Sequence, residues 1–267
     1  MPELPEVETV VRSIRTHIVG RRIRAARFSS RFVTRENFDK TAANLRGRTI
    51  EAIERRGKHI LVSLDRGYLH IHLGMTGQLL WNGTAGRHTR AILELDGELD
   101  GGVLIYDDIR QFGRVEHSAK VPGPVARLGP DPLTLSFAEF YARLVGHRSA
   151  IKPLLLNQAF LAGLGNIYTD EVLFAACIHP RTRSQRISRK RSAELYAAIQ
   201  QVLAAAIDHR GSSISDYVDG AGERGAFQNL HQVYGKAGQA CPRCGTAIRR
   251  VVVAQRGTHF CPQCQRA

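Results

Sequence analysis

A chain of 267 residues has room for two domains with substantial cores. Thirty-eight Lys and Arg against 24 Asp and Glu leave a net charge of +14, which favours a polyanionic partner over an indifferent basic surface. Arginine heavily outnumbers lysine, and guanidinium forks match phosphates, so nucleic acid is preferred; a membrane is disfavoured, because no apolar run is long enough to span one.

The chain opens Met1-Pro2-Glu3-Leu4-Pro5-Glu6-Val7-Glu8-Thr9. Acidic residues and prolines stand where a secretory signal would place an apolar segment, so the protein is expected in the cytosol. Methionine before proline is easily processed, which leaves the secondary amine of Pro2 beside the carboxylate of Glu3. An α-amine titrates near pH ~8, and a secondary amine condenses with a sugar to give an iminium ion, an electron sink. The plainer reading is a helix start. Val7, Val10, Val11, Ile14 and Ile18 repeat at helical spacing, Glu6 and Glu8 suit the positive end, and Gly20 can stop the helix. Spacing alone favours this second reading, yet the two are compatible, since a buried helix would hold an N-terminal nucleophile still.

From Arg21 to about His117 the pattern becomes short strands: Ile50 to Glu54, Ile60 to Leu64, Leu69 to Leu73, Gln78 to Trp81, Ala91 to Leu95 and Val103 to Tyr106. This predicts a β-sandwich or barrel-like half. His70 and His72 share a strand face without a third ligand nearby, so a hydrogen-bonded structural role is favoured over metal binding. Lys58, in Arg55-Arg56-Gly57-Lys58-His59, has the position of an ordinary solvated lysine before a strand. Met75 lies between glycines in Gly74-Met75-Thr76-Gly77, and Asp107 to Gly113 carries Arg110 and Phe112 in a turn. Apolar wedges beside arginine can fill a duplex from which a base has been drawn. Core positions at strand ends are an equal alternative.

Gly129-Pro130-Asp131-Pro132-Leu133 marks a linker, and beyond it the period is helical at Phe137 to Val145, Ile151 to Leu156, Tyr168 to Ala176 and about Ser188 to His209. Gly163-Leu164-Gly165-Asn166 precedes one of these helices, where backbone N–H groups could hold a phosphate; a plain connector is the default. Arg148, Lys152 and the run Arg181 to Arg191 make a phosphate-tracking surface more plausible. Cys177, in an Ala-rich helical stretch, reads as a small buried apolar residue. Cys241-Pro-Arg-Cys244 and Cys261-Pro-Gln-Cys264 have the spacing of a four-thiolate zinc ribbon, which predicts one structural Zn²⁺. Arg249, Arg250 and Arg256 lie between the pairs, on a finger that would face DNA.

Together these stretches resemble the formamidopyrimidine-DNA glycosylase family, the helix-two-turns-helix base-excision enzymes. The resemblance runs along the chain: PELPEVET at 2–9, RRGKHI at 55–60, HLGMTG at 72–77, D-x-R-x-F-G ending at Gly113, AIKPLLL at 150–156, GLGNIYTDEVLF at 163–174, and CPRC and QRGTHFCPQC at the end. It implies an α+β multidomain fold. A β-sandwich with an N-terminal helix would span 1–130, a helix-two-turns-helix domain 131–232 and a zinc β-hairpin 233–267, with duplex DNA bound in the cleft between them by a monomer. The implied activity is excision of oxidised purines, 8-oxoguanine and formamidopyrimidines, followed by β- and δ-elimination. By the same resemblance Pro2 attacks C1′, Glu3 is the acid/base partner that helps open the sugar, Lys58 moves protons in the lyase steps, and Arg256 serves the final elimination. His88, Arg110 and Arg148 match DNA contacts. Lys152 and Asn166 match groups that grip the phosphate beside the lesion, and Met75, Arg110 and Phe112 match the void-filling trio. Two positions depart from the family pattern: Arg90 stands where a histidine is usual, and Ala226 where the loop over the flipped base often has an aromatic residue. Alternatives are an endonuclease VIII-like pyrimidine glycosylase, whose start usually reads PEGPE, and a non-catalytic binder of damaged DNA.

Overall fold

The computed structural model describes residues 1–97 and 101–266. They group into two compact units: Met1–Arg127 with His209–Ala226, and Leu128–Asp208 with the chain from Phe227 on.

The first unit begins with helix α1 (Leu4–Ile18), which accepts Pro5 in its opening turn, where a missing N–H costs nothing. Its apolar stripe, Val7, Val10, Val11, Ile14 and Ile18, is wholly buried, and each such side chain contributes roughly 1.5–3 kcal/mol. Strands follow as β1 (Ile23–Phe28), β2 (Ile50–Arg56), β3 (His59–Leu64), β4 (Tyr68–His72), β5 (Gly77–Trp81), β6 (Thr89–Leu95), β7 (Gly102–Asp108) and β8 (Arg114–Ser118). They form two antiparallel sheets, ordered β1-β6-β7-β5 and β2-β3-β4-β8. One core joins them: Leu79, Leu93 and Tyr106 from the first sheet meet Ile53, Ile60 and Ile71 from the second and the α1 stripe. The result is the expected sandwich.

Helix α2 (Phe38–Leu45), capped by the Asn37 side chain on Lys40 N–H, interrupts the stretch expected to be all strand. Only Thr41 and Leu45 of it are buried, too few for a visible period. A short α3 (Gly123–Ala126) closes the first stretch of this unit.

The second unit contains α4 (Phe137–Val145), α5 (Ile151–Leu156), α6 (Asn166–Ala175) and α7 (Arg189–Asp208), then the hairpin β9 (Arg249–Val253) and β10 (Arg256–Phe260). Ser136 and Glu139 form the capping box that starts α4. Helix α6 is its centre, with every residue from Tyr168 to Phe174 buried. Burial pushes the Glu171 carboxyl up in pKa, against three backbone N–H groups, of Tyr234, Val233 and Gln232, that hold it down. The segment leading to the zinc hairpin is thereby tied to the helix. Among the described residues no helix is long and apolar enough to cross a membrane.

His70 and His72 are both hydrogen-bonded, as expected from the sequence. His59 Nδ1 lies 2.8 Å from His70 Nε2, and His72 Nδ1 accepts the Gly74 N–H. Burial, then the Lys58 charge, pushes His59 down to about 4; burial and the neighbouring His59 do the same for His70. An unfolded histidine titrates near ~6.5, so below that value the unfolded chain takes up protons that the folded one refuses, and stability is lost as pH falls towards 4. The urea midpoint should drop across this window, and less so in His59→Gln/His70→Gln; an equal drop in wild type and variant would contradict the assignment.

Candidate active site and nucleic-acid interface

At the start of α1 the backbone is fixed by a reciprocal capping box, in which the Glu3 side chain accepts the Glu6 N–H and the Glu6 side chain the Glu3 N–H. Glu6, almost wholly buried, accepts the Glu3 N–H at 2.7 Å with one oxygen and the Ser212 N–H at 2.7 Å with the other. Gly211 (φ +76°) permits this approach, since a Cβ there would lie 2.6 Å from Glu6 Oε1. The Tyr217 hydroxyl donates to the Glu6 carbonyl, Gly220 N–H to Ser13 Oγ, and Trp81 N–H to the Gly220 carbonyl. The segment 209–226 therefore docks on α1 and β5 through named hydrogen bonds, and its end at Ala226, an exposed position, is tied to His209. Glu6 was legible only as a carboxylate suited to a helix start.

Pro2 and Glu3 are buried and Met1 is half exposed. Burial holds the Met1 ammonium below its ordinary pKa; the charges of Glu3 and Glu6 oppose the shift, and those of Lys58 and Arg110 add to it. Two residues far away in sequence, Lys58 and Arg110, thus act electrostatically on the start of the chain together with the local Glu3 and Glu6. Lys58 owes its place to a two-residue β2–β3 turn in which Gly57 has φ +61°, as a II′ turn requires. It is 7 % exposed and not the solvated lysine its position suggested.

The wedge candidates stand on two loops latched together by Asp108, which is fully buried. Its Oδ1 accepts from Thr76 Oγ1 at 2.6 Å and its Oδ2 from Gly113 N–H at 2.8 Å. Thr76 Oγ1 in turn accepts the Arg110 N–H. The loops touch through backbone, because a Cβ on Gly74 would meet Gly113 N at 2.6 Å. Met75 is 41 % exposed and Phe112 53 %, with the Arg110 guanidinium 4.7 Å from the Phe112 ring centre, so neither apolar side chain is a core residue. Phe32, Arg110, Gln111, Phe112 and Arg114 line an open depression of about 480 Å³ beside them. His88 joins this site through its carbonyl, which accepts the Asp108 N–H, and Arg90 Nε donates to the Asp108 carbonyl. The arginine at the departing position is therefore anchored to the latch.

In the second unit, Gly163 (φ +104°) and Gly165 lead into α6, whose first residue is Asn166. Asn166 Nδ2 donates to the Gly257 carbonyl at 2.9 Å, beside exposed Arg256; its Oδ1 has no partner among the described residues. Arg148 is exposed, as a DNA contact should be, and its carbonyl accepts from Arg183. Lys152 is different. It was expected to grip phosphate, but it is 0 % exposed and its Nζ donates to Asp170 Oδ1 at 2.6 Å, so it has no path to a ligand outside. Cys177 also departs from its reading as a buried apolar residue. It ends α6 with φ +54°, half-buried, and its Sγ accepts from the Arg243 guanidinium at 2.9 Å.

The sulfur atoms of Cys241, Cys244, Cys261 and Cys264 all lie within 4.8 Å of one another, with Cys241–Cys264 at 3.9 Å and Cys244–Cys261 at 3.5 Å. Tetrahedral thiolates at ~2.3 Å from zinc would be ~3.8 Å apart, so the donor set fits one structural zinc ion and leaves no open position for water. Cys241 and Cys261 pack with Phe174, Val233 and Ile248, and Gln265 bridges Cys261 N–H to the Ile178 carbonyl.

Three family profiles match the chain: the formamidopyrimidine-DNA glycosylase N-terminal domain over residues 1–115, the H2TH domain of the same enzymes over 128–218, and the zinc finger found in FPG and IleRS over 238–267. A formamidopyrimidine-DNA glycosylase of Solibacter usitatus is 52 % identical over the full length of both chains. Among solved structures, a Lactococcus lactis FPG mutant in complex with Fapy-dG-containing DNA is similar over all of both chains with a TM-score of 0.90 at 37 % identity. The MutM (FPG) protein of Thermus thermophilus gives 0.87 at 40 % identity, over 99 % of this chain and 98 % of that one.

Gly113→Ala would place a Cβ 1.7 Å from the Tyr106 hydroxyl and 2.6 Å from the His72 carbonyl, so it should destabilise the first unit by about 1–3 kcal/mol or more in urea unfolding. Phe112→Ala and Met75→Ala should change stability by less than about 0.5 kcal/mol, because these side chains are held outside the core. A Phe112→Ala loss as large as that of Gly113→Ala would return the wedge to the core.

Proposed function

The chain belongs to the formamidopyrimidine-DNA glycosylase family, and on that premise we propose how its residues divide the work. The activity is that of a DNA glycosylase of base excision repair acting on oxidised purines, with the strand-cutting lyase step of the family. Pro2, freed from Met1, is the nucleophile. Its nitrogen bonds to C1′ as the glycosidic bond breaks, the electron pair leaves with the base, and the base takes up a proton. Glu3 then delivers a proton to the ring oxygen, the sugar opens, and the iminium ion forms. That cation acidifies C2′–H. Loss of the proton releases the 3′ phosphate, and Lys58 is the group placed to move protons in these steps. The observation that carries this reading is that the charges of Glu3, Lys58 and Arg110 all act on the amine at the chain start, next to the buried Pro2.

A base cannot be attacked inside the stack, so the nucleotide must be drawn out at a cost of a few kcal/mol. Met75, Arg110 and Phe112 would fill the space it leaves, with their loops held rigid by Asp108. His88, Arg148 and Asn166 take phosphates, on a chain whose +14 charge suits a duplex. In the proposed division, residues 1–130 carry the chemistry, 131–232 the helix-two-turns-helix contacts and 233–267 the zinc hairpin, except that 209–226 packs with the first unit and is counted with the chemistry. The four cysteines hold a structural zinc ion that stiffens the hairpin bearing Arg256. The enzyme would work as a monomer on chromosomal DNA in the cytoplasm.

Burial is the main cause that lowers the Met1 amine, and Pro2 is itself buried, so its freed amine would be lowered in the same direction by the same cause. The nucleophile is the neutral form, so activity should be full above its pKa and lost only as pH falls through a midpoint below ~8. Single-turnover excision from duplexes carrying 8-oxoguanine or thymine glycol, measured across pH, tests this. Faster release of 8-oxoguanine with an acid limb below pH ~8, abolished in Pro2→Gly, is expected. Preference for thymine glycol would move the chain to the pyrimidine branch, and tight lesion binding without product would make it a binder.

A further inference from the structure

Lys152 and Asp170 form an ion pair with both side chains fully buried, and a pair of this kind rarely adds stability beyond what apolar residues of the same volume would give. What it does here is visible in the remaining hydrogen bonds. Lys152 Nζ also donates to the Gly257 carbonyl at 3.3 Å, and Asp170 Oδ2 accepts the His259 N–H at 2.8 Å, with His259 Nδ1 3.3 Å away. Asn166 donates to the same Gly257 carbonyl. Three side chains from α5 and α6 therefore hold the backbone on the C-terminal side of Arg256.

The other side of Arg256 needs holding. The β9–β10 turn is Ala254-Gln255, with φ +48° and +60°, and left-handed backbone costs about 1–2 kcal/mol for each residue with a Cβ. Such a conformation persists only where its surroundings over-determine it. Arg256 follows directly, its side chain exposed, while Thr258, His259 and Phe260 are buried.

We propose that the Lys152–Asp170 pair is a positioning device that fixes Arg256 for the second elimination, and so sets the ratio of δ to β product. This rests on the role in the final elimination that the family resemblance gives Arg256. In that step a proton leaves C4′ of the unsaturated iminium intermediate, the C5′–O5′ bond breaks, and the electron pair departs on the 5′ phosphate. A guanidinium beside that phosphate stabilises the leaving group only if it is within hydrogen-bond reach, and a misplacement of ~1 Å can cost up to ~100-fold. The pair touches neither sugar nor phosphate. It acts through Gly257 and His259.

The test uses the full-length, zinc-loaded protein on an abasic-site duplex under single turnover, with the δ:β product ratio normalised to the borohydride-trapped fraction. Lys152→Met alone strands a buried carboxylate, so the working variant is Lys152→Met/Asp170→Asn, which removes both charges and keeps an acceptor for His259. The ratio should fall by ~10-fold or more in this variant and in Arg256→Ala, and combining the substitutions should lower it no further. If Arg256→Ala lowers the ratio while the zinc-loaded, trappable Lys152→Met/Asp170→Asn protein keeps that of wild type, the positioning role is wrong. Loss of zinc and trapping together would make the pair a general element of the fold and also overturn it. An unchanged ratio in Arg256→Ala would reject the reading of Arg256 itself.

Discussion

Burial of one face of α1 is the constraint from which the rest follows. An N-terminal nucleophile is worthless on a frayed terminus, and the first residues of most chains fray. Here five aliphatic side chains lock the helix into the sandwich, and Glu6 binds the backbone of Glu3 on one side and of Ser212 on the other. The start of the helix is thereby tied to the core. Lys58 and Arg110 can then be brought to it by ordinary strand and loop geometry, one through a two-residue turn and one through a latched loop.

The same economy recurs in both units: a buried acid with no chemistry of its own holds a neighbour that has some. Asp108 ties two loops whose tips are exposed, and this separates rigidity from solvent access. Asp170 does the equivalent for the zinc hairpin, and Glu171 for the segment leading to it. These carboxylates are costly to bury, and each is satisfied by backbone N–H groups or a cation, as buried charge must be. On the proposed reading a duplex would meet groups already in place, which leaves little ordering cost for binding or the transition state.

Much of this was readable in the amino-acid order. The period of α1, the strand runs from Ile50 to Tyr106 and the two Cys pairs each follow from a local rule, and the structure has them where the rules place them. What escaped depends on partners far apart in sequence. Helix α2 buries too little to show a period. Lys152 reads as a surface cation until Asp170 is seen to enclose it. Cys177 gains a guanidinium from Arg243, sixty-six residues on. Glu6 reads as a helix-start acid because Ser212 lies 206 positions away. Met75 and Phe112 were undecided between core and wedge for the same reason: exposure is settled by the fold, not by spacing.

On the proposed reading a free Pro2 nitrogen, held at the start of α1 next to Glu3, becomes covalently joined to the damaged sugar. Intact mass after borohydride reduction on an 8-oxoguanine duplex tests it most directly. The adduct should form only on chains that have lost Met1, and proteolysis should place it on the peptide beginning at Pro2. Full activity from chains that retain Met1, or an adduct on Lys58 in place of Pro2, would contradict it.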